Sequence, residues 1–141
     1  MGVNKLNGEG YHDPTAYEAL TAVAHSEKRR KSYKPLVFIC SPLAGNIEVN
    51  IGNAKQYSKF AVDKGTIPLA PHLLFPQFLD ESDKTQRDLG IFFGLVLLGK
   101  CDEMWVFGES YSAGMKIEIA KAEKRGIPIR YFDTECREAV Q

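Results

Sequence analysis

The sequence predicts a single doubly wound α/β domain, with a mostly parallel sheet of four to five strands flanked by helices, and a helical arm at its N-terminus. Three observations lead to this prediction. Short apolar runs alternate with helix-length segments, which is typical of a parallel sheet. Residues 36–40 (LVFIC) are apolar without interruption, as in a strand buried on both faces. The helix-length segments begin after capping residues or end at glycines.

The predicted elements divide the chain into an arm and a domain. Residues 1–32 form the arm, and Asp13-Pro14 begins a helix that runs over residues 15–31. Residues 33–141 form the α/β domain. Its predicted strands cover 36–40, 67–70, 103–107 and 127–132, and its predicted helices cover 47–64, 84–99 and 113–125. Pro68 indicates an edge or irregular position for the second strand, and the whole order fits Rossmann- and flavodoxin-like folds.

Composition excludes several classes of partner. The 141 residues are 44% apolar and 26% charged, with 18 basic and 18 acidic side chains, so no overall charge favours a nucleic-acid polymer or a membrane surface. The basic cluster at residues 28–31 either contacts phosphate or forms a solvated helix end. The longest apolar run, residues 91–98, is too short to span a bilayer. We expect no signal peptide and a cytoplasmic location.

The three cysteines fit neither a disulfide framework nor a zinc site. Cys40, Cys101 and Cys136 are odd in number and widely spaced, so we expect reduced thiols. No metal site and no cofactor are predicted.

Three segments follow predicted strands and therefore meet at one edge of the sheet, where α/β proteins bind ligands. In residues 41–46, Ser41 and Gly45 belong to a small-residue turn whose N–H groups suit a phosphate or a sugar hydroxyl, although such turns are also glycine-rich for steric reasons. In residues 71–78, Phe75 and Phe78 either enclose a nucleobase or cap the core. His72 is a candidate contact or a structural histidine.

The third segment carries the strongest indication of chemistry. Ser112 is a good N-cap, but a capping box needs Glu or Gln three residues later, and that position is Met115. Glu118 is thus not needed for capping, and its apolar neighbours predict a partly desolvated carboxylate. Asp88 offers a second acid on the preceding helix. Two carboxylates around one anomeric carbon suit glycosyl transfer with retention, although a lone helix aspartate is more often a surface charge.

Residues 37–45 (VFICSPLAG), 87–89 (RDL) and 112–119 (SAGMKIEI) occur in the order expected of one known superfamily. The chain resembles the nucleoside 2-deoxyribosyltransferase superfamily, which includes the 2′-deoxynucleoside 5′-monophosphate N-glycosidases. The resemblance covers roughly residues 36–132. Residues 71–78 and 92–99 are similar to a branch of small bacterial and phage proteins.

The resemblance implies roles for particular residues. It implies that Glu118 is the catalytic nucleophile and that Asp88 contacts the deoxyribose and supports proton transfer. Ser112 would lie near the substrate's 5′ end. The remaining implied pocket residues come from the first loop and from the turn before the nucleophile: Ser41, Gly45, Gly114 and Met115. Pro42 departs from the pattern because it removes an N–H that would cradle a phosphate, whereas a serine at 112 favours a monophosphate.

The sequence therefore favours an enzyme that cleaves or transfers the N-glycosidic bond of a 2′-deoxynucleoside or its 5′-monophosphate. The alternative is a non-catalytic nucleotide-binding or sensor protein on the same fold. A third possibility is a structural partner protein that acts through the N-terminal helix. The resemblance also implies a homo-oligomer with a shared active site, for which the apolar residues 91–98 offer an interface.

Overall fold

A computed structural model describes residues 14–29 and 33–139 of the chain. Helices and strands alternate in this order: α1 (Pro14–Arg29), β1 (Leu36–Cys40), α2 (Ile47–Asp63), β2 (Ile67–Leu69), α3 (Lys84–Leu98), β3 (Glu103–Phe107), α4 (Ala113–Arg125) and β4 (Ile129–Phe132). Two short 3₁₀ turns, Pro71–Leu73 and Phe75–Gln77, connect β2 to α3. The predicted α/β class and the alternation of elements are confirmed.

Helix α1 belongs to a compact unit separate from the one that contains all the strands. Leu20 and Val23 of α1 are more than half exposed. Residues 1–13 and 30–32 of the predicted arm lie outside the described residues. The division into an arm and a domain stays a prediction.

The sheet has four parallel strands within the described residues, in the order β2-β1-β3-β4. Strand β2 is an edge strand, as Pro68 predicts, because a proline cannot donate to a second neighbour. The strand order reverses between β1 and β3. At such a reversal the connecting loops diverge beyond the carboxyl ends of the strands and leave a crevice.

Helices cover both faces of the sheet. Side chains alternate between the two faces along each strand, and this alternation separates two apolar clusters. On the face that α3 and α4 cover, the cluster comprises Phe38, Cys40, Leu98, Cys101, Met104, Val106, Met115 and Ala122. On the face that α2 covers, it comprises Val37, Ile39, Tyr57, Ala61, Trp105, Phe107 and Phe132. Both faces of β1 and β3 are buried, which explains their continuous apolar sequences.

Capping explains most helix boundaries. Asp83 accepts a hydrogen bond from the Thr85 N–H and begins α3, and Gly65 follows α2 with a left-handed φ of 85°. The last strand begins two residues later than predicted. The N–H of Ile127 donates to the carbonyl of Ala122 (2.9 Å), so residue 127 still closes the end of α4.

All three cysteines are free thiols, as expected. Among the helices in residues 14–29 and 33–139, none combines the length and apolar character that crossing a bilayer requires.

Candidate functional site

A cavity of about 440 Å³ lies at the reversal of strand order, a volume within the range of small-molecule sites. Its wall combines the loop after β1, the segment after β2, the first half of α3 and the start of α4. The lining residues are Leu43, Ala44, Pro71, His72, Phe75, Pro76, Glu81, Arg87, Asp88, Gly90, Ile91, Ser112, Ala113, Gly114, Met115, Ile117 and Glu118.

The start of α4 places one acidic side chain at the wall of this cavity. The Ser112 Oγ accepts a hydrogen bond from the Met115 N–H (3.2 Å), which confirms the predicted cap. Met115, Glu118 and Ala122 are the buried residues of α4. Their spacing of three and four residues defines one helix face, and this face packs on the sheet. Glu118 therefore occupies a core-facing position that an apolar side chain would normally take.

Burial strongly perturbs the Glu118 carboxyl. Only 5% of the residue's surface is exposed, which confirms the predicted desolvation. Loss of hydration raises its pKa from 4.5 to about 7, and a hydrogen bond from the Cys40 thiol to Oε1 (3.4 Å) partly opposes this rise. At neutral pH the carboxyl is thus poised between its two forms.

The second oxygen of Glu118 approaches α3. A Cβ added to Gly94 would lie 3.5 Å from Oε2, an ordinary contact distance, so Gly94 is a neighbour of this oxygen. Within the described residues, Oε1 is the only oxygen of Glu118 with a hydrogen-bond partner, and Oε2 is not among the fully buried atoms that lack one. Because Glu118 lines the cavity, Oε2 is the oxygen that remains open to a ligand.

Asp88 lines the same cavity from α3 in a different environment. Its side chain is 54% exposed and accepts a hydrogen bond from the Lys84 ammonium (2.7 Å). This bond lowers the pKa of Asp88, so the side chain is ionised at neutral pH. Asp88 and Glu118 thus differ: Asp88 is a carboxylate at neutral pH, and Glu118 titrates near pH 7.

His72 is anchored by the first loop. Its Nε2 lies 2.8 Å from the carbonyl oxygen of Ser41. A carbonyl only accepts, so Nε2 carries the proton and Nδ1 is an acceptor when the ring is neutral. Burial lowers the pKa of His72, so the ring is neutral at pH 7.

The two aromatic side chains of residues 71–78 do not enclose a flat space. The rings of Phe75 and Phe78 meet edge to face, with centroids 6.0 Å apart and planes at 89°. Phe75 also contacts Phe93 of α3 and lines the cavity, whereas Phe78 is 62% exposed and lies outside its wall. Phe75 therefore supplies one apolar wall, and the base sandwich between the two rings, which is one of the two interpretations that the sequence leaves open, is not formed.

Besides Phe78, the sequence nominates nine residues for the site, and the cavity brings seven of them together. These are Glu118, Asp88, His72, Phe75, Ser112, Gly114 and Met115. Ser41 and Gly45 are not in its wall. Gly45 is exposed with a φ of 98°, a left-handed conformation that suits glycine, and so it shapes the loop.

Ser41 acts through its backbone, since its carbonyl holds His72. Among the side chains that the structure describes, in residues 15–23 and 33–139, its hydroxyl oxygen is the one that is buried without a partner. Such an unsatisfied group destabilises a fold by about 1–3 kcal/mol.

We expect Ser41→Ala to raise the free energy of unfolding by about 1 kcal/mol, because it removes the unsatisfied hydroxyl and keeps the carbonyl. Urea denaturation of the ligand-free protein measures this change. A loss of stability would show instead that the hydroxyl is hydrogen-bonded, for example to a buried water.

Three residues of the site receive no role from the sequence analysis, although Cys40 and Arg87 lie within the motifs that carry the resemblance. Cys40 ends a buried strand and looks like any core thiol, yet it contacts Glu118. Glu81 and Arg87 look like surface charges, yet both line the cavity. Each becomes part of the site only through tertiary contacts.

The described residues contain no cluster of three or more His, Cys, Asp or Glu side chains that could hold a metal ion.

Solved structures that are similar to this chain include the following two. A 2-deoxyribosyltransferase from the psychrotolerant bacterium Bacillus psychrosaccharolyticus has a TM-score of 0.58 and 15% identity, over 75% of this chain and 77% of that one. A conserved protein from Enterococcus faecalis has a TM-score of 0.49 and 19% identity, over 71% of this chain and 64% of that one. At 15% identity the likeness to the transferase shows a shared fold.

No curated protein sequence matches the chain. A family model described as a domain of unknown function (DUF7768) matches residues 35–132. The match covers more than half of the chain, and the chain therefore belongs to that family.

Proposed function

We propose that the cavity binds a 2′-deoxynucleoside or its 5′-monophosphate and that the chain cleaves or transfers the N-glycosidic bond. The observation that carries this proposal is Glu118, a carboxyl buried at the wall of a ligand-sized cavity that also holds the ionised Asp88. Retaining glycosyl transfer uses such a pair of carboxyl groups in contrasting environments. The shared fold with a 2-deoxyribosyltransferase supports the same reaction class.

The proposed reaction has two steps. Glu118 is the nucleophile in the first step, and a water or an acceptor base is the nucleophile in the second. Ionised Oε2 of Glu118 attacks C1′, the C1′–N bond breaks, and its electron pair leaves with the base, which takes up a proton from solvent; in hydrolysis the attacking water later returns a proton to solvent. The resulting ester between Glu118 and the sugar is then opened. Water releases 2-deoxyribose (or its phosphate), and a second base forms a new nucleoside. Either path restores the Glu118 carboxylate.

The other lining residues have supporting roles in this proposal. Asp88 holds the deoxyribose and assists proton transfer, and Ser112 lies near the 5′ end. Gly114 and Met115 belong to the first turn of α4, which brings Glu118 to the sugar. Neutral His72 hydrogen-bonds the base and Phe75 contacts it, whereas Ser41 and Gly45 act on the substrate through the shape of the first loop.

The charges of the lining favour an uncharged substrate. Among the described residues that line the cavity, three are acidic (Glu81, Asp88 and Glu118) and one, Arg87, is a cation. A phosphate dianion would meet this excess of acids, and the α4 N-terminus at Ser112 offers only partial compensation. We therefore expect nucleosides to react faster than their monophosphates.

The reaction is tested by incubating the full chain with each 2′-deoxynucleoside and each 5′-monophosphate, with and without an acceptor base, and separating the products by chromatography. Free base without an acceptor identifies a hydrolase, and an exchanged base identifies a transferase. Ribonucleosides are the matched control, because a 2′-hydroxyl disfavours the oxocarbenium-like transition state. Binding of a nucleoside without any turnover would instead support a non-catalytic nucleotide-binding protein.

Asp88→Asn should reduce kcat/KM by roughly 10²-fold. The amide cannot accept a proton, and it lacks the negative charge with which the Asp88 carboxylate binds the sugar hydroxyls. The chain offers a matched control in Asp63→Asn. Asp63 is exposed and pairs with Lys59 four residues earlier (2.6 Å), as Asp88 pairs with Lys84, but it is not in the cavity wall. Equal losses of activity in both variants would contradict the proposed role of Asp88.

We also propose that the chain forms a homo-oligomer in which a neighbouring subunit completes the site. Leu89, Phe92 and Val96 are exposed on α3, the helix that carries Asp88 into the cavity. Their spacing of three and four residues makes one apolar stripe. Sedimentation equilibrium of the full chain tests this proposal, and a monomer at all concentrations would exclude it.

A further inference from the structure

Cys40 lies at the junction between the sheet and the candidate site. It is the last residue of β1 and is completely buried. Side chains alternate along a strand, so Cys40 shares with Phe38 the face that α3 and α4 cover. This placement directs the thiol at the buried face of α4.

The thiol has two acceptors within reach. Its Sγ lies 3.4 Å from Oε1 of Glu118 and 4.0 Å from the carbonyl oxygen of Met115. A thiol has one proton, and the shorter distance assigns it to the carboxyl. Asp88 and His72 line the same cavity from α3 and from the segment after β2, and neither is hydrogen-bonded to Glu118.

Other roles for a buried cysteine do not fit this position. Cys40 has no surface through which an oxidant or a disulfide partner could reach it. Burial, together with the charge of Glu118, raises the pKa of Cys40 well above its usual value. The side chain is therefore a thiol at every working pH, and it is a donor to Glu118 and not a nucleophile.

We infer that Cys40 is a positioning residue that donates its S–H to Oε1 of Glu118 and thereby holds Oε2 open to the cavity. This inference rests on the proposed role of Glu118 as the nucleophile. The hydrogen bond from Cys40 ties Oε1 to the strand, and Gly94 is a neighbour of Oε2, so this arrangement favours one orientation of the carboxyl plane. A fixed orientation lowers the barrier of a step that needs one oxygen aligned with the reacting carbon.

A thiol is a suitable donor for this purpose because it is weak. A hydroxyl or a cation would bind the carboxylate more strongly in the ground state, and a nucleophile stabilised in that way reacts more slowly. The S–H group fixes the geometry and leaves most of the desolvation of Glu118 in place, consistent with its opposing but smaller effect on the pKa.

Three variants test the inference: Cys40→Ala removes the donor, Cys40→Ser replaces it with a stronger one, and Cys101→Ala is the control. Cys101 is another buried thiol of the same apolar cluster, but it donates to the Leu97 carbonyl and is outside the cavity wall. Near-ultraviolet circular dichroism of Trp105 and thermal unfolding verify that each variant folds.

The primary measurement is the titration of Glu118 by ¹³C NMR of protein labelled at the glutamate side-chain carboxyls, with the signal assigned by its loss in Glu118→Gln. We expect the pKa of Glu118 to rise in Cys40→Ala, to fall in Cys40→Ser and to stay unchanged in Cys101→Ala. With an active substrate, Cys40→Ala should also lose roughly tenfold in kcat with little change in KM. An unchanged Glu118 titration in both folded Cys40 variants would overturn the inference.

These outcomes separate the two proposals. If no nucleoside or nucleotide reacts but the titration shifts as expected, the proposed function fails and the control of Glu118 by Cys40 stands. If wild type turns over and loses activity in Glu118→Gln while the Cys40 variants titrate like wild type, only the inference about Cys40 fails.

Discussion

Glu118→Gln should abolish turnover of every 2′-deoxynucleoside that the wild-type protein accepts, by roughly 10³-fold or more in kcat. The amide matches the carboxyl in shape. Its oxygen can still accept the hydrogen bond that the Cys40 thiol donates to Oε1 in the wild type. What the amide lacks is a charge, so it cannot attack C1′ to form a glycosyl ester. The assay is base release, with or without an acceptor base, at saturating substrate.

The same helix provides the control for this variant. Glu123 is exposed on α4, so Glu123→Gln removes an acidic group without reaching the cavity and should leave kcat unchanged. Folding of both variants is verified by thermal unfolding. Retention of more than a tenth of wild-type turnover in Glu118→Gln would rule out a nucleophilic role.

A pKa near 7 would also suit Glu118 as a general acid, so loss of activity alone does not assign its role. Covalent trapping separates the two roles. If Glu118 is the nucleophile, an acid quench during turnover leaves a 2-deoxyribosyl group on the peptide that contains residue 118. If the peptide that contains residue 118 is unmodified and Asp88 carries the 2-deoxyribosyl group, then Asp88 is the nucleophile and Glu118 is the general acid.

The fold is the part of this molecule that a single sequence predicts well. Continuous apolar runs at residues 36–40 and 103–107 indicate strands buried on both faces, and capping residues such as Asp83 and Ser112 locate the helix starts. These signals are local and agree with the tertiary structure. The start of β4 is the exception, because the bond from Ile127 to Ala122 depends on how α4 ends.

The site is only partly predictable, for a physical reason. Glu118 could be nominated because an acid among apolar helix positions is itself unusual. Its environment depends on long-range contacts: Cys40 is 78 positions away in sequence, and Gly94 approaches from another helix. Likewise, the perpendicular rings of Phe75 and Phe78 follow from loop geometry that composition does not encode. Residue types indicate chemistry, whereas the pKa and orientation of a group arise from its neighbours.

The raised pKa of Glu118 should also make the protein less stable at neutral pH than Glu118→Gln. Below about pH 4.5 the carboxyl is protonated in both the folded and unfolded states, and it contributes no difference. Between pH 4.5 and about 7 the unfolded chain loses this proton while the fold retains it, so stability falls. Above the folded pKa of about 7 the loss levels off at about 3 kcal/mol.

Urea denaturation of both proteins across this pH range measures the effect as a difference of differences. The amide of Glu118→Gln changes the hydrogen bonding by an amount that does not depend on pH. All other carboxyl groups titrate in both proteins. Neither effect therefore changes how the stability difference between the two proteins varies with pH. The stability of the variant relative to wild type should rise by about 3 kcal/mol between pH 4.5 and pH 8. A constant difference would mean that Glu118 titrates normally in the fold, and the desolvated carboxyl on which the proposed chemistry depends would be absent.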